Sequence, residues 1–228
     1  QILHIPNIEK MENKFEITAV ADISKNLTNN IADKYRVPHR FTNGMDLIGC
    51  PDVDAVMIMS PGDHAEFAIA ALEAGKHVFI EKPMTSSLES LEKLLEVKRR
   101  HPDQIAMVGY CRRYNDSFMK MKELLQADSR PISYVRARTI VLEGPWYLDN
   151  TWHEHKADDL DPAGRELMNR RMFEEIDRVL GGNTSHAQQM AYLLMTASGC
   201  HILSAVRELI GLPKAIRSAV VSPNGMQF

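Results

Sequence analysis

Residues 54–83 read DAVMIMSPGDHAEFAIAALEAGKHVFIEKP, and the fold class follows from that stretch. Asp54 to Met59 is a continuous apolar run of the sort buried on both faces of a parallel sheet. His64 to Ala74 continues in helical register and stops at Gly75, where a left-handed cap is wanted and glycine adopts it without a Cβ penalty. His77-Val-Phe-Ile80 then returns as a strand. The same grammar extends both ways. Residues 15–22, Phe-Glu-Ile-Thr-Ala-Val-Ala-Asp, make a short β-rich run, and Ser24 caps a helix reaching Tyr35. Downstream, Ser86 or Ser87 opens a helix with an apolar stripe of Leu88, Leu91, Leu94 and Leu95, and residues 105–109 form another strand. Strands and helices alternating at this length predict an α/β fold with a Rossmann-type, doubly wound parallel sheet.

After Asn115 the pattern changes. A helix to about Gln126, a long strand over Ile132 to Val141, an aromatic loop through Lys156, helices over 162–180 and 186–210, and a strand from Ala215 to Ser222 predict an incomplete α+β unit. The expected organisation is a dinucleotide-binding domain over 1–112 and a partial substrate or catalytic domain over 113–228. In a dinucleotide-binding unit the glycine fingerprint lies about 20 residues before the acid that binds the ribose. Counting back from Asp22 reaches Gln1 or just before it, so the fingerprint and the first strand are expected to be missing, and the chain to be cut at both ends. The runs 15–22 and 54–59 are then expected not to pair with each other, because the absent strand belongs between them.

Composition narrows the partners. The 228 residues are 44% hydrophobic and 25% charged, ordinary for an α/β protein. With 27 basic against 30 acidic residues and no block of like charge, nothing marks a surface that tracks phosphates, so nucleic acid is not an expected partner. Cys50, Cys111 and Cys200 lie far apart without CxxC spacing, which argues against a disulfide framework or structural zinc and for a cytoplasmic location. No metal is expected. No apolar run approaches the roughly 18 residues that cross a bilayer, so no membrane partner is expected either.

Chemistry-bearing residues fall at strand ends. Asp22 closes the first run, where a carboxylate accepts hydrogen bonds from ribose hydroxyls and repels a 2′-phosphate, favouring NAD over NADP; Lys25 nearby could partly offset that repulsion. A turn or cap residue is the alternative at Asp22. Ser60-Pro61-Gly62-Asp63-His64 follows Met59, and Glu81-Lys82-Pro83 follows Ile80, both outside the carboxyl end of a buried strand where ligands of open α/β sheets sit. A lysine there can hydrogen-bond a substrate hydroxyl and stabilise the alkoxide that forms as hydride leaves. Trp146, Tyr147, Trp152, His153 and His155 suit stacking on a sugar face, or equally the pinning of a long loop.

Taken together, Ser60-Pro61, His64-Ala-Glu66, Ala70 through Val78, Glu81-Lys82-Pro83, Gly109-Tyr-Cys-Arg-Arg-Tyr114 with Phe118, Gly199-Cys-His201 and Gly211-Leu-Pro213 closely resemble the signature of the Gfo/Idh/MocA oxidoreductases. The resemblance implies an NAD(P)-dependent dehydrogenase acting on a hydroxyl carbon of a sugar, inositol or related polyol, and a homo-oligomer when intact. It assigns cofactor contacts to Asp22, Ser60, Pro61, His64, Glu81, Lys82, Pro83 and Arg112, and substrate contacts to Arg113, Trp152 and His201. It makes Lys82 and His201 the catalytic pair. One departure stands out: the family carries Asp-x-Gly-x-His here, and this chain has Ala197 where the aspartate belongs and Ser204 where another acid is common. That motivates two alternatives, a non-catalytic dinucleotide-binding sensor or scaffold, and NAD-dependent cleavage of a glycosidic bond.

Overall fold

Short apolar runs separated by helices give parallel strands, because a chain that crosses over a sheet face through a helix re-enters in the same direction. The computed structural model describes residues 4–139 and 157–218, less the side chains of Arg165 and Met168. Within them, five strands run β1 (Ala19–Ala21), β2 (His39–Phe41), β3 (Ala55–Ile58), β4 (His77–Ile80) and β5 (Ala106–Val108). β1 pairs with β2, and β3–β4–β5 form a second sheet, every pairing parallel. β1 and β3 lie in different sheets and are not hydrogen-bonded to each other, as the expected strand order requires.

The connecting helices are α1 (Ile5–Glu9), α2 (Lys25–Tyr35), α3 (Gly44–Ile48), α4 (Ala65–Glu73) and α5 (Leu88–Arg100). Their ends match the caps read from sequence. Ser24 accepts from the Leu27 N–H, Ser87 accepts from Ser90, and Gly75 closes the turn after α4 at φ +75°. Ala68, Ala71 and Leu72 of α4 are fully buried against Val56, Ile58, Val78 and Ile80, the small residues letting the helix sit close to the strands. A buried lysine sits beneath them: the Lys76 ammonium donates to the carbonyls of Cys50 at 2.7 Å and Val53 at 2.5 Å, which offsets the cost of taking that charge from water.

Past β5 come a 3-10 turn (Cys111–Tyr114), α6 (Asp116–Ala127), α7 (Pro162–Val179), α8 (His186–Leu194), a π-helical turn (Met195–Gly199) and α9 (Cys200–Ile210). The expected strands differ here. Residues 132–139 and 215–218 form no strand, while 140, 141 and 219–222 fall outside the described residues. Neither run pairs with any of the five strands, and Tyr134 and Ile216 stand 78% and 82% exposed; β-propensity without a pairing partner does not make a strand.

The π turn joins α8 and α9 into one helix of 25 residues, His186–Ile210, with a mean hydropathy of 1.2 over an 18-residue window. By length and composition it could cross a membrane, which corrects the expectation that no stretch approached that size. The expectation counted unbroken apolar runs. Between His186 and Val206 no Asp, Glu, Lys or Arg occurs, so Ala, Ser, Thr and Gly dilute the leucines without adding charge. One such helix is weak evidence for a membrane, since helices of globular proteins reach the same hydropathy.

Candidate active site

Parallel strands end on one edge, so the loops after β1, β3, β4 and β5 converge, and the groups they carry can be traced one at a time. Asp22 follows β1. Its Oδ1 accepts the Ser24 N–H at 2.9 Å, an Asx turn that starts α2. The turn reading and the ribose-binding reading of Asp22 are therefore compatible, since the second carboxylate oxygen has no partner among the described residues.

After β3, Ser60 keeps a buried hydroxyl with no hydrogen-bond partner, a group that a bound polar ligand would satisfy. His64 is 3% exposed and bridges two loops, with Nε2 2.6 Å from the Ser60 carbonyl and Nδ1 2.7 Å from the Pro83 carbonyl. A neutral imidazole donates to only one of them. The geometry makes His64 a staple that fixes Ser60 and Pro83 relative to each other. Asp63 beside it accepts from the Ala65 N–H and from both the N–H and the hydroxyl of Ser86. Burial pushes the Asp63 carboxyl up, but these hydrogen bonds together outweigh it and hold the group below the ordinary carboxylate value.

After β4, Glu81 receives His4 Nε2 at 2.9 Å on one oxygen and the Lys82 N–H at 3.0 Å on the other. The Lys82–Pro83 peptide is cis. The Lys82 ammonium crosses to the second half of the chain and donates to the carbonyl of Ala197 at 2.9 Å. Gly109 ends β5 at a point where a side chain would not fit, since a Cβ there would stand 2.8 Å from the Phe79 ring and 3.4 Å from Glu81 Oε1. The Tyr110 ring meets His201 edge-on at 6.5 Å between centroids.

His201 is half-buried, and its Nδ1 is buried without a partner. Desolvation lowers its pKa below the ordinary histidine value, and repulsion from Arg112 and Lys82 lowers it further. Burial pushes the neighbouring Cys200 thiol and Tyr110 phenol up. Lys82 and His201 thus share one end of the structure, a neutral base beside a fixed cation. Arg112 acts on His201 through its charge. Arg113 is committed elsewhere, paired with Glu208, whose other oxygen takes Lys122 at 2.5 Å. Trp152, like Trp146, Tyr147, His153 and His155, lies outside the described residues.

Three features escaped the sequence reading. His4 on Glu81 spans 77 positions; the pairing of Ser24 with Asp159 spans 135; and the Ala197 contribution is a main-chain atom that no side-chain motif encodes. At the opposite, amino ends of the strands, ligand atoms of His39, Cys50 and Asp52 lie within 4.8 Å of one another. His39 already pairs with Asp52 at 2.8 Å, and the Lys76 ammonium on the Cys50 carbonyl disfavours a second cation, so this group is not read as a metal centre.

Comparison with known proteins agrees with this geometry. Residues 2–110 match the family model GFO_IDH_MocA, the oxidoreductase family with an NAD-binding Rossmann fold. Inositol 2-dehydrogenase 3 of Saccharopolyspora erythraea is 37% identical over 125 residues, 54% of this chain and 37% of that protein. Inositol 2-dehydrogenase/D-chiro-inositol 3-dehydrogenase of Shouchella clausii is 32% identical over 127 residues, 55% of this chain and 37% of that protein. The chain therefore spans little more than a third of the length of these relatives. Scyllo-inositol dehydrogenase of Lactobacillus casei, solved with NAD(H) and scyllo-inositol, matches with a TM-score of 0.61 over 86% of this chain and 48% of that one, at 24% identity, a likeness of fold. Over residues 2–110, just under half of the chain, the parallel strands and the Glu81-Lys82-Pro83 corner are similar to the Gfo/Idh/MocA oxidoreductase family.

Proposed function

We propose that the protein is an NAD-dependent dehydrogenase that oxidises a CH–OH carbon of a cyclic polyol, an inositol or a related sugar, with Lys82 and His201 as its catalytic residues. The observation that carries this is the approach of the two from opposite halves of the chain: Lys82 reaches the π turn at Ala197, four residues before His201. The residues present fit part of the cofactor. The free oxygen of Asp22 suits the adenosine ribose, and the orphaned Ser60 hydroxyl, with Pro61, Glu81, Pro83 and Arg112 around the same edge, suits the nicotinamide end. His64 serves by holding that edge together.

When bound, the nicotinamide supplies a two-electron hydride acceptor. The protein's part is to prepare the hydroxyl. Lys82 is a fixed donor and positive charge where the alkoxide develops. His201, kept neutral by burial and by neighbouring cations, takes the hydroxyl proton. Similarity to inositol dehydrogenases supports a ring polyol as substrate, and Trp152 is the expected contact beyond the reacting carbon, Arg113 being held by Glu208 instead.

The domain boundary near residues 112 and 113 belongs to this proposal, supported by the 3-10 turn that separates strand-bearing from helical segments. So does a cytoplasmic location, which three free cysteines suit, and a homo-oligomeric state, which the exposed apolar side chains of the second half suit. The test is NADH formation across a panel of inositols and sugars. Lys82→Met should lower turnover by roughly two orders of magnitude, the scale of one lost oxyanion partner. NAD binding with no turnover on any of them would favour a sensor, a reading for which the missing carboxylate at Ala197 is the motive.

A further inference from the structure

We infer that the π turn Met195–Gly199 is a positioning device that replaces a carboxylate with a main-chain carbonyl: the oxygen of Ala197, held by the turn, orients the Lys82 ammonium without neutralising it. The inference rests on the dehydrogenase reading above. Three observations carry it. The contact is direct, Lys82 Nζ to Ala197 O at 2.9 Å, across 115 positions. It falls inside the π turn, and an i to i+5 turn within an α-helix shifts the carbonyls out of their usual ladder, a distortion met most often at functional sites. Thr196 supports the distortion, its hydroxyl lying 2.9 Å and 3.1 Å from the carbonyls of Tyr192 and Leu193.

The electrical consequence differs from that of a carboxylate. A carboxylate beside an ammonium makes an ion pair and cancels most of the charge that a developing alkoxide would feel. A carbonyl dipole holds the same proton donor in place and leaves the unit charge intact. The other ionisable groups that adjoin Lys82 or feel its charge are Glu81 on its own loop, which binds His4, and Cys200 and His201 from α9. Glu81 is the only acid of this set, and its oxygens are occupied by His4 and by the Lys82 main chain. Lys82 therefore keeps its charge for the substrate, and the Ala197 carbonyl sets its direction.

The test combines backbone chemistry with one side-chain change, all in the full chain. Replacing Ser198 with its α-hydroxy acid turns the 197–198 amide into an ester and weakens the Ala197 carbonyl as an acceptor. The same change at position 197 weakens the Thr196 carbonyl instead and serves as the control. The 198 ester should lower kcat roughly tenfold with KM for NAD unchanged, and the control should not. Ala197→Asp should also lower kcat while moving the alkaline limb of turnover upward by about one pH unit or more, because a carboxylate holds the proton on Lys82. Independently of turnover, the carbon-13 resonance of the Ala197 carbonyl should shift in Lys82→Met and stay near its native position in Lys82→Arg. A resonance indifferent to Lys82→Met overturns the contact. A responsive resonance with kcat and pH limb unmoved in both the ester and Ala197→Asp overturns the positioning role. A responsive resonance in a protein that turns over no polyol places the failure in the dehydrogenase reading instead.

Discussion

At the scale of single residues, charge placement decides what each group can do. His201 has its pKa lowered by desolvation first and by Arg112 and Lys82 after that. A general base works deprotonated, so a lowered pKa extends activity toward acid, and the acidic limb of turnover should lie below the ordinary histidine value of 6.5. Arg112→Gln removes one of the repelling charges and should move that limb toward higher pH. A limb that stays put in this variant would show that Arg112 does not face the base. Asp22 allows a second residue-level prediction. Asp22→Ser should narrow the preference for NAD over NADP by removing the carboxylate that repels a 2′-phosphate, and a native protein already preferring NADP would contradict that role. Helix α2 should survive the change in part, since the Asp22 acceptor for Ser24 N–H is lost but the Ser24 cap on Leu27 stays.

At the scale of elements, legibility in the sequence followed the range of the interaction. α2, α4, α5, α6 and α7 and the strands β3 and β4 were legible because their signals are local: a cap, an apolar run, a glycine at φ > 0. Strand β2 and the five-residue helices α1 and α3 were not, being too short to show a period. Of the strand expected over 132–141, the described residues 132–139 form none, because pairing needs a partner supplied from elsewhere and propensity cannot provide it. Of the site, Lys82 and His201 could be read from motif and position, whereas the Ala197 carbonyl and the His4 contact depend on how distant segments meet. Gly109 joins the two kinds of information. Its Cβ would stand 2.8 Å from Phe79, whose ring lies against His4, and 3.4 Å from Glu81. Gly109→Ala should therefore cost about 1–3 kcal/mol in chemical denaturation, the scale of an overpacked core position. It should also perturb the Glu81–His4 pair, seen as a changed His4 ring resonance; an unchanged stability and resonance would mean that the Phe79 ring swings away freely.

At the scale of the whole molecule, polar staples tie the second half of the chain to the first. Ser86 is the centre of one: its hydroxyl lies 2.6 Å from both Asp63 and Glu175 and donates to one at a time, while the Tyr192 hydroxyl donates to its carbonyl. Asp159 forms another, taking the Ser24 hydroxyl and the Asn26 N–H at 3.0 Å at the start of α2. Two of these carboxylates, Asp63 and Asp159, titrate low. Asp159 is held below the ordinary value by Ser24 first and Asn26 after it, and Asp63 by the bonds that outweigh its burial. A carboxyl whose folded pKa is depressed contributes stability that is fully present above its unfolded pKa, here 3.8, and is lost as pH falls through the folded value. Thermal stability should accordingly decline as the pH drops below about 4, with the Asp159 link to the start of α2 weakening as that carboxyl is protonated. Asp63→Asn separates this account from general acid unfolding. The amide keeps an acceptor for Ser86 but loses the charge, so the variant should melt lower than the native chain at pH 7 and approach it at pH 3. Two melting curves that stay parallel across that range would mean that Asp63 carries no part of the acid sensitivity, leaving Asp159 and the other low-titrating carboxylates, Glu89, Asp128, Asp177 and Glu208, to account for it.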